Sequence, residues 1–179
     1  MMYQLRHFGI GLNNLRELFS DAKFLILYRE SLVEQYVSWR LGMKTGVWIQ
    51  DVNAKPSRTH GASTAQIRFD IDQFNWFADD VRKNCRAIAA DTWVTNNSVL
   101  VAYEDLCLNP NEMIQSRICP FLGLSPAPVS TDLVKQNPRN IQQIIENYAD
   151  VESFLESAKR DNADRLTSTY MRELFTVTA

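Results

Sequence analysis

Lys23–Tyr28 reads KFLILY, a short and almost continuous apolar run without polar alternation. Such a run is typical of a strand that is buried on both faces, as the strands of parallel sheets are. Val99–Tyr103 reads VLVAY and has the same character. The two segments therefore predict two strands of one parallel sheet, with Arg29 and Tyr103 at its carboxyl edge, where open α/β sheets bind their ligands.

Two long helices are predicted between these strands. Ser31 and Glu34 form a capping-box pattern that opens a helix reaching to about Met43. Its predicted apolar stripe contains Leu32, Tyr36, Trp39 and Met43. Over residues 70–95, apolar side chains recur at three- and four-residue steps, which indicates a second amphipathic helix. Between the two helices, residues 44–66 are predicted to form a long irregular loop, because they include glycine, proline and several short polar residues.

Helices are also predicted after the second strand. Asn109 and Pro110 suit the N-cap and the first position of a helix, which Gly123 then ends. Two or three polar helices are predicted over residues 140–175. This order of elements is typical of an α/β fold, so we predict a central parallel sheet flanked by helices, in a single domain over residues 1–179.

The composition is ordinary for a soluble globular protein and narrows the function classes. The formal net charge of -2 argues against a general nucleic-acid or membrane surface. No apolar run reaches the length of about 18–20 residues that a membrane span needs. Cys85, Cys107 and Cys119 lack the spacing of a zinc site or a disulfide framework. We therefore predict a cytoplasmic, reducing environment and no metal.

Arg29 and Ser38 are the first candidate ligand-binding residues. Arg29 leaves the predicted sheet at its ligand edge, and Ser38 lies on the helix that follows. A guanidinium is a planar, permanently charged fork that matches a phosphate monoester, and a serine hydroxyl adds a further donor. The spacing alone leaves two interpretations open: a phosphate site, or a salt-bridged arginine and a serine on the helix surface.

The sequence around these two residues resembles the 3′-phosphate-binding strand–helix motif of the sulfotransferase family, most closely in its bacterial trehalose-sulfotransferase-like branch. The matching stretch reads FLILYRES over Phe24–Ser31 and continues with VSW over Val37–Trp39. The resemblance implies that Arg29 and Ser38 hold the 3′-phosphate of the cofactor. This chain departs from the pattern in having Ser31 where that branch usually has aspartate, and one residue more than usual between the arginine and the serine.

A second block also resembles that family. Val101–Leu106 reads VAYEDL and Phe121–Leu124 reads FLGL, and in the family the tyrosine of this block lies near the adenine. The resemblance therefore implies that Tyr103 lies beside the cofactor's adenine. It also implies a P-loop NTPase-like sulfotransferase fold, 3′-phosphoadenosine 5′-phosphosulfate (PAPS) as donor and 3′-phosphoadenosine 5′-phosphate (PAP) as product. The expected acceptor is a hydroxyl group of a small molecule or a carbohydrate.

The family's phosphosulfate-binding loop has no counterpart in the first residues of this chain. In the family, a strand, a glycine- and hydroxyl-rich loop and a helix hold the 5′ end of the cofactor through backbone amides. Residues 1–22 contain only Phe8–Gly11 (FGIG), without the lysine and hydroxyl residues of that loop. We therefore expect that this N-terminal unit is missing, and that the chain is either part of a longer protein or a truncated relative.

His7 is the candidate catalytic base. Cytosolic sulfotransferases have a catalytic histidine at a similar distance before the corresponding arginine, whereas the trehalose-type branch resembles enzymes that use a glutamate from the missing region. The alternative is a solvent-exposed histidine near the chain terminus. For His60 a position on the loop surface is favoured. For Lys135 and Arg139 surface charge is favoured, although families often add a basic 3′-phosphate contact from this part of the chain.

Three functions remain open from the sequence. The first is transfer of a sulfuryl group from PAPS to a hydroxyl acceptor. The second is a non-catalytic nucleotide-binding or assembly module that keeps Arg29, Ser38 and Tyr103. The third, a P-loop-related nucleoside phosphotransferase, is disfavoured because the chain has no GxxxxGKS or GxxxxGKT motif.

We predict that the 179-residue chain on its own transfers no measurable sulfuryl group to generic hydroxyl acceptors, because it lacks the phosphosulfate loop. The measurement is the release of PAP from PAPS with and without the protein. Turnover clearly above the protein-free control would contradict this expectation, and would mean that another segment supplies the contacts of the loop.

Overall fold

A computed structural model describes residues 11–48, 50–51, 64–130, 133–134, 140–161, 171 and 175. Over these residues the chain is a mixed α/β structure that is mostly helical. The strands are β1 (Phe24–Tyr28), β2 (Gln50–Asp51), β3 (Ser98–Ala102) and β4 (Leu133–Val134). The helices are α1 (Leu12–Leu18), α2 (Leu32–Thr45), α3 (Ile71–Ala89), α4 (Thr92–Asn96), α5 (Tyr103–Leu108), α6 (Pro110–Met113), α7 (Cys119–Leu122), α8 (Ile141–Ile144) and α9 (Tyr148–Asp161), with a π-helical turn at Ile114–Ile118.

β1 and β3 form a parallel pair. Their register places Phe24 opposite Ser98 and Tyr28 opposite Ala102, which confirms the predicted parallel arrangement. β3 ends one residue earlier than predicted, because Tyr103 is already the first residue of α5. β2 and β4 form a separate antiparallel pair. A short strand therefore interrupts the segment predicted as an irregular loop, of which residues 49 and 52–63 lie outside the described residues.

One face of β1 is exposed, so the prediction that both faces are buried was wrong. Leu25 and Leu27 are 48% and 55% exposed, whereas Tyr28 is buried. Successive side chains of a strand project to opposite faces, so an apolar run permits burial of both faces but does not show that both are covered. On the other face, Phe24 packs edge-to-face against Trp93, with ring centroids 4.8 Å apart.

α2 has the predicted N-terminus and extends slightly further than predicted. The Ser31 Oγ atom accepts a hydrogen bond from the Glu34 N–H at 3.1 Å, as expected of an N-cap serine. Gly46 ends the helix with a φ of 69°, in the left-handed region that favours glycine. The buried side chains of α2 include Leu32, Val33, Tyr36, Val37 and Leu41. Met43 was predicted on this stripe but is exposed, because it lies in the last turn, where the helical periodicity continues beyond the core.

The predicted helix over residues 70–95 is divided into two helices. α3 ends at Ala89, and the Asp91 side chain caps α4 by accepting hydrogen bonds from the Trp93 and Val94 N–H groups at 3.0 and 3.4 Å. Aspartate interrupts helices in this way because its short side chain binds nearby backbone donors. Apolar residues continue at helical spacing across the break, so the pattern alone predicted a single helix.

The helical stretch after β3 ends where predicted, but it begins earlier, because α5 (Tyr103–Leu108) was not predicted. Pro110 is the first residue of α6, and Gly123 follows α7 with a φ of 73°. Asn109 occupies the N-cap position, although its side chain makes no capping hydrogen bond. None of the helices in the described ranges combines the length and the apolar content that a membrane crossing requires.

The main core is centred on Tyr36, whose side chain is fully buried. Its ring packs against Phe69 and Phe74, with centroids 5.0 and 5.5 Å apart. Its hydroxyl donates a hydrogen bond to the Gln73 Oε1 atom at 2.9 Å, and Arg40 donates to the same oxygen. Burial raises the pKa of Tyr36 above its ordinary value. A tyrosine in this setting joins α2 to α3 through both packing and a satisfied polar group.

The segment that contains α8 and α9 attaches to this core through Asn147. The Asn147 side chain accepts a hydrogen bond from the Phe69 N–H at 2.8 Å and donates one to the Phe69 carbonyl at 3.1 Å. Next to it, Ile67 and Ile145 form a short parallel bridge, and both side chains are buried. These contacts join residues far apart in sequence, so they hold α8 and α9 against the core.

We predict that Asn147→Ala lowers the free energy of unfolding by about 1–3 kcal/mol, because it leaves the N–H and carbonyl of Phe69 without their hydrogen-bond partner. Chemical denaturation measures the change. The control is Gln142→Ala on the exposed side of α8, for which we expect a change of less than about 0.5 kcal/mol. If the two variants are equally stable, the side chain of Asn147 does not clamp this segment.

Candidate functional site

The carboxyl ends of β1 and β3 lie side by side, and each strand is followed directly by a candidate residue. The last pair of the register is Tyr28 with Ala102, so the parallel pairing places Arg29 and Tyr103 at the same edge. The Arg29 Cζ atom lies 4.1 Å from the centroid of the Tyr103 ring, which is a cation–π contact. The structure therefore brings together the two residues that the sequence placed at the ligand edge of the sheet.

The Arg29 guanidinium also contacts the start of α2. Its Nη1 atom donates a hydrogen bond to the Glu34 carbonyl at 3.2 Å, which uses one of the several N–H donors of the group. Glu34 and Ser38 are separated by one helical turn and lie on the same face of α2. Ser38 is half-buried. The structure thus places Ser38 one helical turn after Glu34, whose carbonyl Arg29 contacts.

Glu104, which the sequence reasoning missed, joins the two strand ends. Its Oε2 atom accepts a hydrogen bond from the Glu30 N–H at 3.0 Å, across a separation of 74 residues. The other carboxylate oxygen, Oε1, is buried and has no hydrogen-bond partner in the described part of the chain. An acidic residue in the first turn of a helix is common, since it interacts favourably with the helix dipole. An acidic residue at this position therefore did not indicate that its side chain binds the N–H of Glu30.

The Tyr103 hydroxyl is held in its protonated form. Its pKa is raised above the ordinary value of 10.0 by a hydrogen bond with the Cys107 side chain, by burial and by the electrostatic interaction with Cys107. The charge of Arg29 and a hydrogen bond with it oppose this shift. At neutral pH, Tyr103 is therefore a neutral ring with a hydroxyl, and Arg29 supplies the positive charge of the site.

The arrangement suits an anion attached to a planar group. The guanidinium is permanently charged, and the N-terminus of α2 beside it has a partial positive charge, although Glu34 in the first turn partly opposes that field. The Tyr103 ring adds an aromatic surface on which a planar group packs well. Within the described residues, no group of three or more His, Cys, Asp or Glu side chains is arranged to hold a metal ion.

The other sequence candidates lie outside the described residues. Two tryptophans, one within α2 and one just after it, do not belong to this edge. The candidates outside the described residues are His7, His60, Lys135 and Arg139. Trp39 stacks on Phe77 beside the core, with ring centroids 5.5 Å apart. Trp48 packs so closely over Gly42 that a Cβ atom there would come within 2.6 Å of its ring. α2 spans roughly 20 Å, so Trp48 lies at the opposite end of the helix from Arg29.

We predict opposite shifts of the Tyr103 pKa in two variants. Cys107→Ala removes the largest cause of the upward shift and should lower the pKa, whereas Arg29→Ala removes the opposing cation and should raise it further. Alkaline titration of the phenolate ultraviolet absorbance, with Tyr103→Phe subtracted, isolates this residue from the other tyrosines. Equal pKa values in the wild type and both variants would contradict the two contacts.

The same shift has a consequence for stability. Because the pKa of Tyr103 is higher in the folded state than its ordinary value of 10.0, the folded state binds the proton more tightly. The contribution of Tyr103 to the free energy of unfolding is fully present at pH values below its ordinary pKa of 10.0. It is lost as the pH rises through the pKa of the folded state. Tyr103→Phe should therefore reduce the loss of stability at alkaline pH.

Comparison of the chain with protein-family models, with curated proteins and with solved structures found no match. The function is therefore inferred from the placement of the chain's own residues, namely Arg29, Tyr103 and the first turns of α2.

Proposed function

We propose that the edge formed by Arg29, Tyr103 and Ser38 binds the 3′-phosphoadenosine part of PAPS or PAP. In this proposal the Arg29 guanidinium pairs with the 3′-phosphate, the Ser38 hydroxyl donates a hydrogen bond to it, and the Tyr103 ring lies beside the adenine. The proposed activity is transfer of a sulfuryl group from PAPS to a hydroxyl group of a small molecule or carbohydrate, and it requires a phosphosulfate-binding loop in addition to these residues. The proposed architecture is the P-loop NTPase-like sulfotransferase fold, of which the described residues form a mixed α/β part.

The contact between Arg29 and Tyr103 at 4.1 Å is the observation that carries this proposal. A guanidinium that is already stacked on a ring and bonded to the Glu34 carbonyl loses little further side-chain freedom when it binds a ligand. Its charge does not depend on pH, so it attracts a phosphate dianion throughout the physiological range. Hydrogen bonds between ionised partners are also stronger than those between neutral ones.

The location of the contact gives further support. Ligands of open parallel sheets bind beyond the carboxyl ends of the strands, and Arg29 and Tyr103 lie directly after the last paired residues. The N-terminus of α2 opens at the same edge, where backbone N–H groups favour negative charge. Ser38 lies one helical turn after Glu34, whose carbonyl Arg29 contacts, and this position supports a role for its hydroxyl in binding the proposed phosphate.

Sulfuryl transfer also requires groups other than those that bind the 3′-phosphate. A base must accept the proton of the attacking hydroxyl, and positive charge must stabilise the transferred group. His7 is the proposed base. Arg29, Ser38 and Tyr103 have the role of binding and orienting the nucleotide. A non-catalytic nucleotide-binding module would use the same three residues, so nucleotide binding without turnover is the outcome that favours this alternative.

We predict that PAP binds more tightly than adenosine 5′-phosphate by roughly ten- to a hundredfold, because a charged hydrogen bond contributes about 1.5–3 kcal/mol. Arg29→Ala should remove most of this preference. Ser38→Ala should remove less, on the order of 0.5–1.5 kcal/mol, because a hydroxyl is a neutral donor. Titration calorimetry with both nucleotides measures the preference in the three proteins.

Arg16→Ala is the matched control for Arg29→Ala. The Arg16 guanidinium also lies over an aromatic ring, with its Cζ atom 5.2 Å from the Trp93 centroid, and it pairs with Asp91 at 2.7 Å. Asp91 precedes β3, so this second arginine–aromatic pair lies towards the amino end of the strand and not at the proposed site. We expect Arg16→Ala to keep the preference for PAP. If the wild type binds both nucleotides equally, or if Arg29→Ala keeps the preference, the assignment is wrong.

A further inference from the structure

Glu104 adds a cross-link between the two strands at the point where their backbone pairing stops. After the last pair of the register, β1 continues into Arg29, whereas β3 is followed at once by α5, which begins at Tyr103. The backbone after β3 is therefore no longer extended and cannot continue the ladder. The Glu104 Oε2 atom accepts a hydrogen bond from the Glu30 N–H at 3.0 Å. A side-chain oxygen therefore accepts the bond that a backbone carbonyl would accept if the ladder continued.

We propose that Glu104 is a positioning residue that fixes Arg29 against the Tyr103 ring. Its bond joins the residue after Arg29 to the residue after Tyr103, so it sets the separation of the two side chains that form the cation–π contact. Glu104 acts through the backbone of Glu30 and does not contact the ligand. The ligand in question is the 3′-phosphate of the nucleotide, so the inference rests on the proposed function.

Two other contacts of Arg29 restrain the tip of its side chain. The hydrogen bond to the Glu34 carbonyl and the stack on Tyr103 both involve the guanidinium. An arginine has several rotatable bonds, so contacts at its tip are compatible with more than one position of its backbone. The Glu104 bond restrains the peptide unit between Arg29 and Glu30 directly. It therefore fixes the point from which the side chain extends.

The unpartnered oxygen of Glu104 identifies the most informative substitution. Burial of a carboxylate oxygen without a hydrogen-bond partner costs free energy, and Oε1 has no such partner among the described residues. Glutamine has a carbonyl oxygen that can accept the Glu30 N–H in the same way, but it has no charge. Glu104→Gln therefore keeps the positioning bond and removes the carboxylate, whereas Glu104→Ala removes both.

The test compares Glu104→Ala, Glu104→Gln and the control Asp105→Ala. Asp105 is the other acidic residue in the first turn of α5, so its removal takes the same charge from the same turn. The first readout is nuclear magnetic resonance and needs no nucleotide. The ring current of Tyr103 shifts the side-chain signals of Arg29, and slow exchange of the Glu30 amide proton reports the hydrogen bond. We expect Glu104→Ala to lose both features, and the other two variants to keep them.

The second readout is the preference for PAP over adenosine 5′-phosphate in titration calorimetry. We expect Glu104→Ala to reduce the preference by roughly three- to tenfold, the scale of one misplaced hydrogen bond, and Glu104→Gln to keep it. In an Arg29→Ala background, Glu104→Ala should cause no further loss, because its effect passes through Arg29. A ring-current shift that survives Glu104→Ala, or a loss of preference that adds to that of Arg29→Ala, overturns the positioning role.

Failure of the proposed function gives a different result from failure of this inference. Equal binding of the two nucleotides by the wild type removes the 3′-phosphate assignment, while the ring-current and amide readouts still decide whether Glu104 positions Arg29. If Glu104→Ala does not fold, Glu104→Leu replaces it, because leucine keeps much of the side-chain volume and has no oxygen to accept the Glu30 N–H. A folded Glu104→Leu protein that keeps the ring-current shift overturns the proposal.

Discussion

A parallel strand pair has no tight turn to fix its register, so the alignment of β1 with β3 depends on the side chains that pack around it. Two such anchors are the buried pair of Tyr28 and Ala102 at one end and the packing of Phe24 against Trp93 at the other. A slip of one residue would turn the side chains of one strand to the opposite faces. The position of Arg29 relative to Tyr103 therefore depends on this register.

The elements that carry Arg29 and Ser38 could be predicted because their signals are local. An apolar run ended by a charged residue indicates a strand and its edge, and a serine three residues before a glutamate indicates where the next helix begins. The parallel pairing also followed from the element order, since strands separated by helices pair in this way. The sequence also placed Arg29 and Tyr103 at the same edge of the sheet, although their cation–π contact was not predicted.

The features that could not be predicted depend on contacts between distant residues or on competition between similar local states. The hydrogen bond from the Glu30 N–H to Glu104 spans 74 residues, and the sequence around each residue does not indicate that the other is its partner. At Asp91 the chain could either continue α3 or begin a new helix that the aspartate caps. The apolar periodicity is the same in both cases, so it did not predict the break. The exposure of Leu25 depends on which elements cover that face, and the composition of the strand does not contain this information.

The order in which the chain is synthesised gives the β1–β3 pairing a kinetic consequence. During synthesis, residues 24–28 leave the ribosome long before residues 98–102. The apolar side chains of β1 are therefore exposed until β3 has been made. Pairing across so long an intervening chain requires closure of a large loop, which makes proteins rich in such contacts slow to fold. α2 and α3 depend on local hydrogen bonds and form faster. The contact between Arg29 and Tyr103 is therefore among the last parts of the molecule to form, and a destabilised strand pair would lose it while most of the helical content persists.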